Sequence, residues 1–222
     1  MFGKNKILGL RKGNGEILEV NEIFATFQGE ACFTGYPALF IRLAGCNLSC
    51  NFCDTEFDKF QELNLDDILS KVNELNINNF TNLIVITGGE PMRQPIEKLC
   101  KKLINLGFVI QIETNGTIYR KLPNEVKIIC SPKMSNGKYS KIRDDLLKRI
   151  TAFKFIISKN KDNNYNLVPD VGQNIYKTPV YLQPMDEYDK NKNKENMDFV
   201  LKLAKDKGYR ISLQSHKIWN ID

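Results

Sequence analysis

Two rhythms of apolar and polar positions alternate along the chain. Uninterrupted apolar runs of strand length recur at 38–44 (ALFIRLA), 82–87 (NLIVIT), 108–114 (FVIQIET), 126–131 (VKIICS), 153–158 (FKFIIS), 180–183 (VYLQ) and 209–214 (YRISLQ). Helical spacing fills the intervals. Leu65, Ile68, Leu69, Val72 and Leu75 follow Asn64, a suitable N-cap. The segment 94–107 predicts a helix closed by Gly107, a third helix is expected near 141–150, and a fourth carries Met197, Val200, Leu201 and Ala204. Strands apolar on both faces and separated by helices predict an α/β fold with a mostly parallel sheet. About six such units predict that the sheet curls into a partial (βα) barrel. The polar, Asn-rich stretch 159–179 reads as a long loop, and the charge run 186–196 as the solvated start of a helix.

Size and composition narrow the class. A chain of 222 residues suits one domain spanning 1–222. Hydrophobic residues at 42% and charged residues at 26% are those of a soluble globular protein, and no stretch has the apolar length of a membrane span. The first residues, MFGKNKILGLRKGNGE, carry charge throughout and show no signal-peptide core, so a cytoplasmic location is expected. The formal charge of +6 comes from 32 basic and 26 acidic residues, but 25 of the basic residues are lysines scattered along the chain. Nucleic-acid sites cluster Arg and Lys among aromatics, so no nucleic-acid partner is expected.

Candidate chemistry sits just after the strands. GCNLSC follows 38–44, TGGEP (87–91) follows 82–86, ETNG (113–116) follows 108–112, SPK (131–133) follows 126–130 and QPMD (183–186) follows 180–182. In βα folds the C-terminal strand ends form the rim of the active site. Within the first motif Cys46, Cys50 and Cys53 are spaced C-x3-C-x2-C. Three readings fit the triad. Zinc on three thiolates would take water or His216, the only histidine, as fourth ligand. CNFC resembles a thioredoxin-like pair, which leaves Cys46 without a role. An iron–sulfur cube on three thiolates keeps one iron open. Cys100 shares an apolar helix face with Ile96, Leu99 and Leu103, and Cys130 ends an apolar run, so both read as core.

The triad, with Phe52 between its last two cysteines, resembles radical S-adenosylmethionine enzymes, in which the cosubstrate chelates the open iron. TGGEP matches the glycine motif of that superfamily. The stretch EIFATFQGEACFTGYPALFIRLAGCNLSCNFCDTEF, the motifs TGGEP, ETNG, SPK and QPMD, and the ending SLQSHKIWNID together are similar to the 7-carboxy-7-deazaguanine synthase family, from about Glu22 to the last residue. Two departures stand out: Ala31, where QGEG is usual, and the short x3 spacing, where some members carry an insertion.

The resemblance implies a 4Fe-4S cluster on Cys46, Cys50 and Cys53, S-adenosylmethionine, and a magnesium ion at Thr55. It implies 6-carboxy-5,6,7,8-tetrahydropterin as substrate, with Phe27, Gln28, Gly29, Glu30, Arg42, Thr87 and His216 lining its site. Phe52, Gly89, Glu113, Ser131, Pro132, Lys133, Gln183, Pro184, Met185 and Asp186 would hold the cosubstrate. Asp222, six residues beyond His216, is expected to fold into the substrate site, with the apolar Ile218, Trp219 and Ile221 buried beside it. Arg42 offers a bidentate fork for the pterin carboxylate. A reductase such as flavodoxin or ferredoxin and a homodimer are also implied. The alternatives are a glycyl-radical-enzyme activase of the same superfamily, which lacks FQGE and SLQSHK, and a non-enzymatic zinc or iron–sulfur module.

Overall fold

The structure is a computed structural model that describes residues 5–135, 137–160 and 165–221. In chain order its elements are β1 (Ile17–Phe27), β2 (Pro37–Leu43), β3 (Gln61–Asn64), α1 (Leu65–Leu75), β4 (Leu83–Gly88), α2 (Glu97–Asn105), β5 (Val109–Thr114), β6 (Lys127–Cys130), the short hairpin β7 (Met134–Ser135) and β8 (Lys138–Tyr139), α3 (Asp144–Leu147), β9 (Ile150–Ile157), β10 (Val180–Pro184), α4 (Lys190–Lys207), β11 (Arg210–Ile211) and α5 (Ser215–Trp219).

Nine strands form one sheet in the order β11-β10-β9-β6-β5-β4-β2-β1-β3. From β2 to β11 every pairing is parallel, and each strand lies beside the next one along the chain, apart from the separate hairpin and β3, which pairs with β1 at the opposite edge. β1 runs antiparallel to both β2 and β3. The sheet has two free edges and is therefore an open, partial barrel rather than a closed one.

The period-2 alternation of strands sorts the core into two sides. Leu39 and Ile41 of β2, Ile84 and Ile86 of β4, Ile110 and Ile112 of β5, and Phe153 and Phe155 of β9 pack with Ile68 and Val72 of α1 and Leu99, Cys100 and Leu103 of α2. The intervening residues point the other way. Ala38 and Phe40 meet Leu83 and Val85, and Ile129 meets Ala152 and Tyr181, in two clusters that contain no residue of the long helices. The helix-free side is the inside of the barrel, and these clusters are its floor.

Most of the expected elements form, with instructive differences at their ends. Asn64 caps α1, its Oδ1 accepting from the Asp67 N–H at 2.8 Å. α2 begins at Glu97 rather than 94, because Pro91–Arg93 make a tight 3-10 turn and Pro95 has no N–H to give. α3 keeps only Asp144–Leu147 of the expected 141–150, and β11 only two residues of 209–214, the rest turning into α5. β1 has no counterpart in the apolar runs. Its antiparallel strand is buried deeply only at Leu18 and Val20, so charged and polar residues break its signal. The described part of 159–179 contains no helix or strand, and 161–164 lie outside the described residues.

Asn64→Ala removes the acceptor for one orphan N–H of α1. It is expected to lower stability by about 1 kcal/mol, while Asn64→Asp is neutral. Urea denaturation of the three proteins checks this.

Candidate active site

Side-chain parity aims a set of polar residues into the barrel above its floor. Arg42 follows Ala38 and Phe40 on the inner face of β2, Thr87 follows Leu83 and Val85 on β4, and Glu113 follows Val109 and Gln111 on β5. Ser131 follows Ile129 beyond β6, Lys154 follows Ala152 on β9 and Gln183 follows Tyr181 on β10. All six line one cavity of about 430 Å³ at the C-terminal strand ends. This is where the rim argument placed the motifs.

The cysteine loop leaves β2 and is clamped by the turn after β4. The Gly89 N–H donates to the Leu43 carbonyl at 3.2 Å and the Glu90 N–H to the Gly45 carbonyl at 3.0 Å. Gly88 has φ +140°, and a Cβ there would lie 2.0 Å from the Leu43 oxygen; one on Gly89 would lie 2.2 Å from the Gly45 oxygen. The paired glycines are thus required by backbone against backbone, before any ligand enters. Glu90 is fully buried and accepts from the Met92 N–H, the Thr114 hydroxyl and the Asn115 N–H at 2.7–3.0 Å, which ties TGGEP to ETNG. Burial pushes its carboxyl up to about 7, against the pull of those donors.

Cys46, Cys50 and Cys53 all line the cavity, and all six cysteines are free thiols. The Cys46 sulfur accepts from the Leu48 N–H at 3.4 Å and from the Asn115 amide at 3.9 Å, and the Cys53 sulfur from the Asn5 amide at 3.7 Å. Burial pushes the Cys46 thiol up to about 11 and raises Cys50 and Cys53 as well, Lys133 pulling the latter two back. Among the described residues no three His, Cys, Asp or Glu side chains gather as a site for a single metal ion. A cube binds each thiolate at a different iron, so its ligands need only face one volume. These three do so, and N–H donors aimed at sulfur suit a cluster whose potential such bonds tune. The donor set therefore fits a three-thiolate cluster. Phe52 in the same loop packs edge-on to Tyr165 with ring centres 4.9 Å apart.

Charges divide the rest of the cavity. The Arg42 guanidinium stands 5.4 Å from the Phe24 ring centre and has no carboxylate partner among the described residues. The Lys133 ammonium donates to the Ser131 carbonyl at 2.9 Å and hydroxyl at 2.6 Å; burial, then repulsion from Lys154, lowers its pKa. Glu113 accepts from Gln28, Thr87 and Gln111 at 3.0–3.3 Å. Asp186 accepts from Lys217 at 2.7 Å, from Asn193 and from the Tyr188 N–H, bonds that outweigh burial and lower its pKa. Lys217 also reaches Asp54 at 3.6 Å, so α5 spans the cluster loop and the loop after β10.

Of the residues singled out in the sequence, the cavity gathers Phe27, Gln28, Gly29, Glu30, Arg42, the three cysteines, Phe52, Thr55, Thr87, Gly89, Glu113, Ser131, Lys133, Gln183, Pro184, Met185, Asp186 and His216. Pro132 is buried beside it without lining it, and Asp222 lies outside the described residues. The expected burial of the apolar tail does not occur. Trp219 touches Phe27 edge-on at 6.0 Å but is 45% exposed, and Ile218 is 67% exposed. Lys154 and Lys217 also line the cavity, though no motif marks them. Strand parity, counted from Ala152, would have found Lys154; nothing in the sequence marks Lys217 beyond its place next to His216.

Residues 40–132 match the radical SAM superfamily. The 7-carboxy-7-deazaguanine synthase of Rickettsia prowazekii is 54% identical over 226 residues, covering 100% of this chain and 96% of its own. That of Rhodospirillum rubrum is 34% identical over 240 residues, covering 100% of both. This chain belongs to the 7-carboxy-7-deazaguanine synthase family. It is a radical S-adenosylmethionine enzyme, and the family implies a 4Fe-4S cluster and that cosubstrate. The crystal structure of QueE from Escherichia coli superposes with a TM-score of 0.70 at 26% identity, over 89% of this chain and 93% of that one. Family membership supports the synthase over the activase and over a non-enzymatic zinc or iron–sulfur module. No helix among the described residues is long and apolar enough to cross a membrane.

Replacing Cys46, Cys50 or Cys53 singly by Ala is expected to abolish loading of the cluster, whereas Cys100→Ala, in the core behind the sheet, leaves it intact. Iron and sulfide counts after anaerobic reconstitution decide this.

Proposed function

We propose that this enzyme converts 6-carboxy-5,6,7,8-tetrahydropterin to 7-carboxy-7-deazaguanine with loss of ammonia. The carrying observation is that the cysteine triad, the Gly88–Gly89 turn and Arg42, which has no carboxylate partner among the described residues, line one cavity of about 430 Å³, a size suited to small ligands. When bound, the cluster supplies the electron that cleaves S-adenosylmethionine to the radical that abstracts hydrogen from the substrate.

The chain's own residues orient the reactants. Arg42, with five fixed donors and no carboxylate partner among the described residues, takes the substrate carboxylate. Glu30, whose backbone N–H donates to the Gln28 side-chain oxygen at 3.0 Å, offers its carboxylate to the amino and ring N–H groups of the pterin, with Gln28 beside it. Thr87, His216, Gly29 and Phe27 complete that wall. Phe52, Gly89, Glu113, Ser131 to Lys133 and Gln183 to Asp186 hold the cosubstrate between the sheet and the cluster loop. Thr55, whose hydroxyl donates to Asp54 at 3.3 Å, would help hold a magnesium ion, which would supply Lewis-acid charge for the substrate carboxylate. A cytoplasmic location, a flavodoxin- or ferredoxin-type reductase and a homodimer complete the reading, as does a single domain over 1–222.

Anaerobic reconstitution, reduction and incubation with S-adenosylmethionine and the carboxylated pterin tests it. Stoichiometric deazaguanine acid and ammonia are expected; a loaded enzyme that cleaves the cosubstrate but leaves the pterin intact rejects the substrate assignment.

A further inference from the structure

Lys154 sits on the inner face of β9 with only 9% of its side chain exposed, and its ammonium pairs with the Glu30 carboxylate, itself 12% exposed. The other Glu30 oxygen accepts from the Gln183 amide at 3.1 Å. The Gln183 oxygen accepts from the Ser212 hydroxyl at 3.2 Å, and the same hydroxyl accepts from the Ala31 N–H at 3.0 Å. The reversed amide would set its oxygen against the Glu30 carboxylate, acceptor against acceptor. Gln183 therefore turns its N–H toward Glu30. Burial alone would raise the Glu30 pKa, but the charge and hydrogen bond of Lys154, with help from His216 and Gln183, lower it. Burial likewise disfavours the charged Lys154, and the charges of Glu30 and Glu113 outweigh it. Each Glu30 oxygen has two lone pairs and uses one in these bonds, and Glu30 lines the cavity.

We propose that Lys154 is a positioning and specificity-determining residue that fixes Glu30 as a pure acceptor, so that the pair selects a ligand edge presenting two adjacent hydrogen-bond donors. Within the pterin reading, on which this rests, that edge is the exocyclic amino group with its neighbouring ring N–H. An analogue with a carbonyl in place of the amino group would set two acceptors face to face. A site built for hydrogen bonds rejects such mismatches strongly, because its buried groups are left unpaired.

A purely structural ion pair makes a different prediction. Breaking a buried pair by removing one partner destabilises, but replacing both partners by neutral groups is often neutral. The test uses the full-length, cluster-loaded enzyme and its Lys154→Met, Glu30→Gln and Lys154→Met/Glu30→Gln variants. Thermal unfolding is measured alongside equilibrium binding of two stable aromatic probes, 6-carboxypterin and 6-carboxylumazine, which differ by amino group against carbonyl. Lys154→Met is expected to unfold at a lower temperature than the parent, and the double variant to recover. The double variant should nonetheless bind 6-carboxypterin about 10- to 100-fold more weakly and lose most of the parental preference for it over the lumazine. Binding of S-adenosylmethionine should change by less than about threefold, since one kcal/mol is about fivefold. If the double variant keeps both parental affinity and parental preference, Lys154 has no role in selection and the inference falls alone. If the loaded parent binds neither probe, the pterin reading falls and takes this inference with it.

Discussion

The Glu90 carboxylate is the interaction on which the site depends. It is fully buried, and its oxygens accept from the Met92 N–H, the Thr114 hydroxyl and the Asn115 N–H. Through these bonds the turn after β4 is locked to the turn after β5. Asn115 then reaches the Cys46 sulfur and the Asn47 side chain, and the Glu90 N–H holds the Gly45 carbonyl. One acceptor thus sets the spacing of three adjacent strand ends and the loop that carries the thiols. An acceptor this deep is costly unless satisfied, so its three donors are a requirement of folding as well as of geometry.

Around that anchor the sheet supplies positions two residues apart. The side facing α1 and α2 is apolar throughout, and the inner side changes character along each strand, from Ala38 and Phe40 to Arg42, from Leu83 and Val85 to Thr87, and from Ala152 to Lys154. A dry floor lies beneath a charged rim. The floor excludes water on one side of the cavity, which strengthens the electrostatics of the rim above it. The rim charges differ in kind. Lys154 and Glu30 pair with each other, whereas Arg42 meets the Phe24 ring and no carboxylate among the described residues, and a cation without a carboxylate draws an anionic ligand.

Much of this was legible in the sequence. The apolar runs located the parallel strands because strands covered on both faces carry no polar interruptions, and the motifs after them marked the rim because a βα connection turns there. β1 was not legible: most of it is only half-buried, and its alternation with charged residues resembles a loop. Nor was the Lys154–Glu30 pair, whose members lie 124 residues apart and meet only through the curl of the sheet. The apolar tail residues Ile218 and Trp219 show the limit of counting apolar groups as buried. A short helix can keep them largely exposed while one ring contact holds it to Phe27.

Three protein thiolates would leave one iron of a four-iron cluster without a protein ligand, for the cosubstrate to fill. Electron–nuclear double resonance on the reduced, reconstituted enzyme with S-adenosylmethionine labelled at its amino nitrogen and carboxylate oxygen tests it most directly. Hyperfine coupling from both labels to the cluster is expected. A fully loaded cluster that shows no coupling to either label would contradict it.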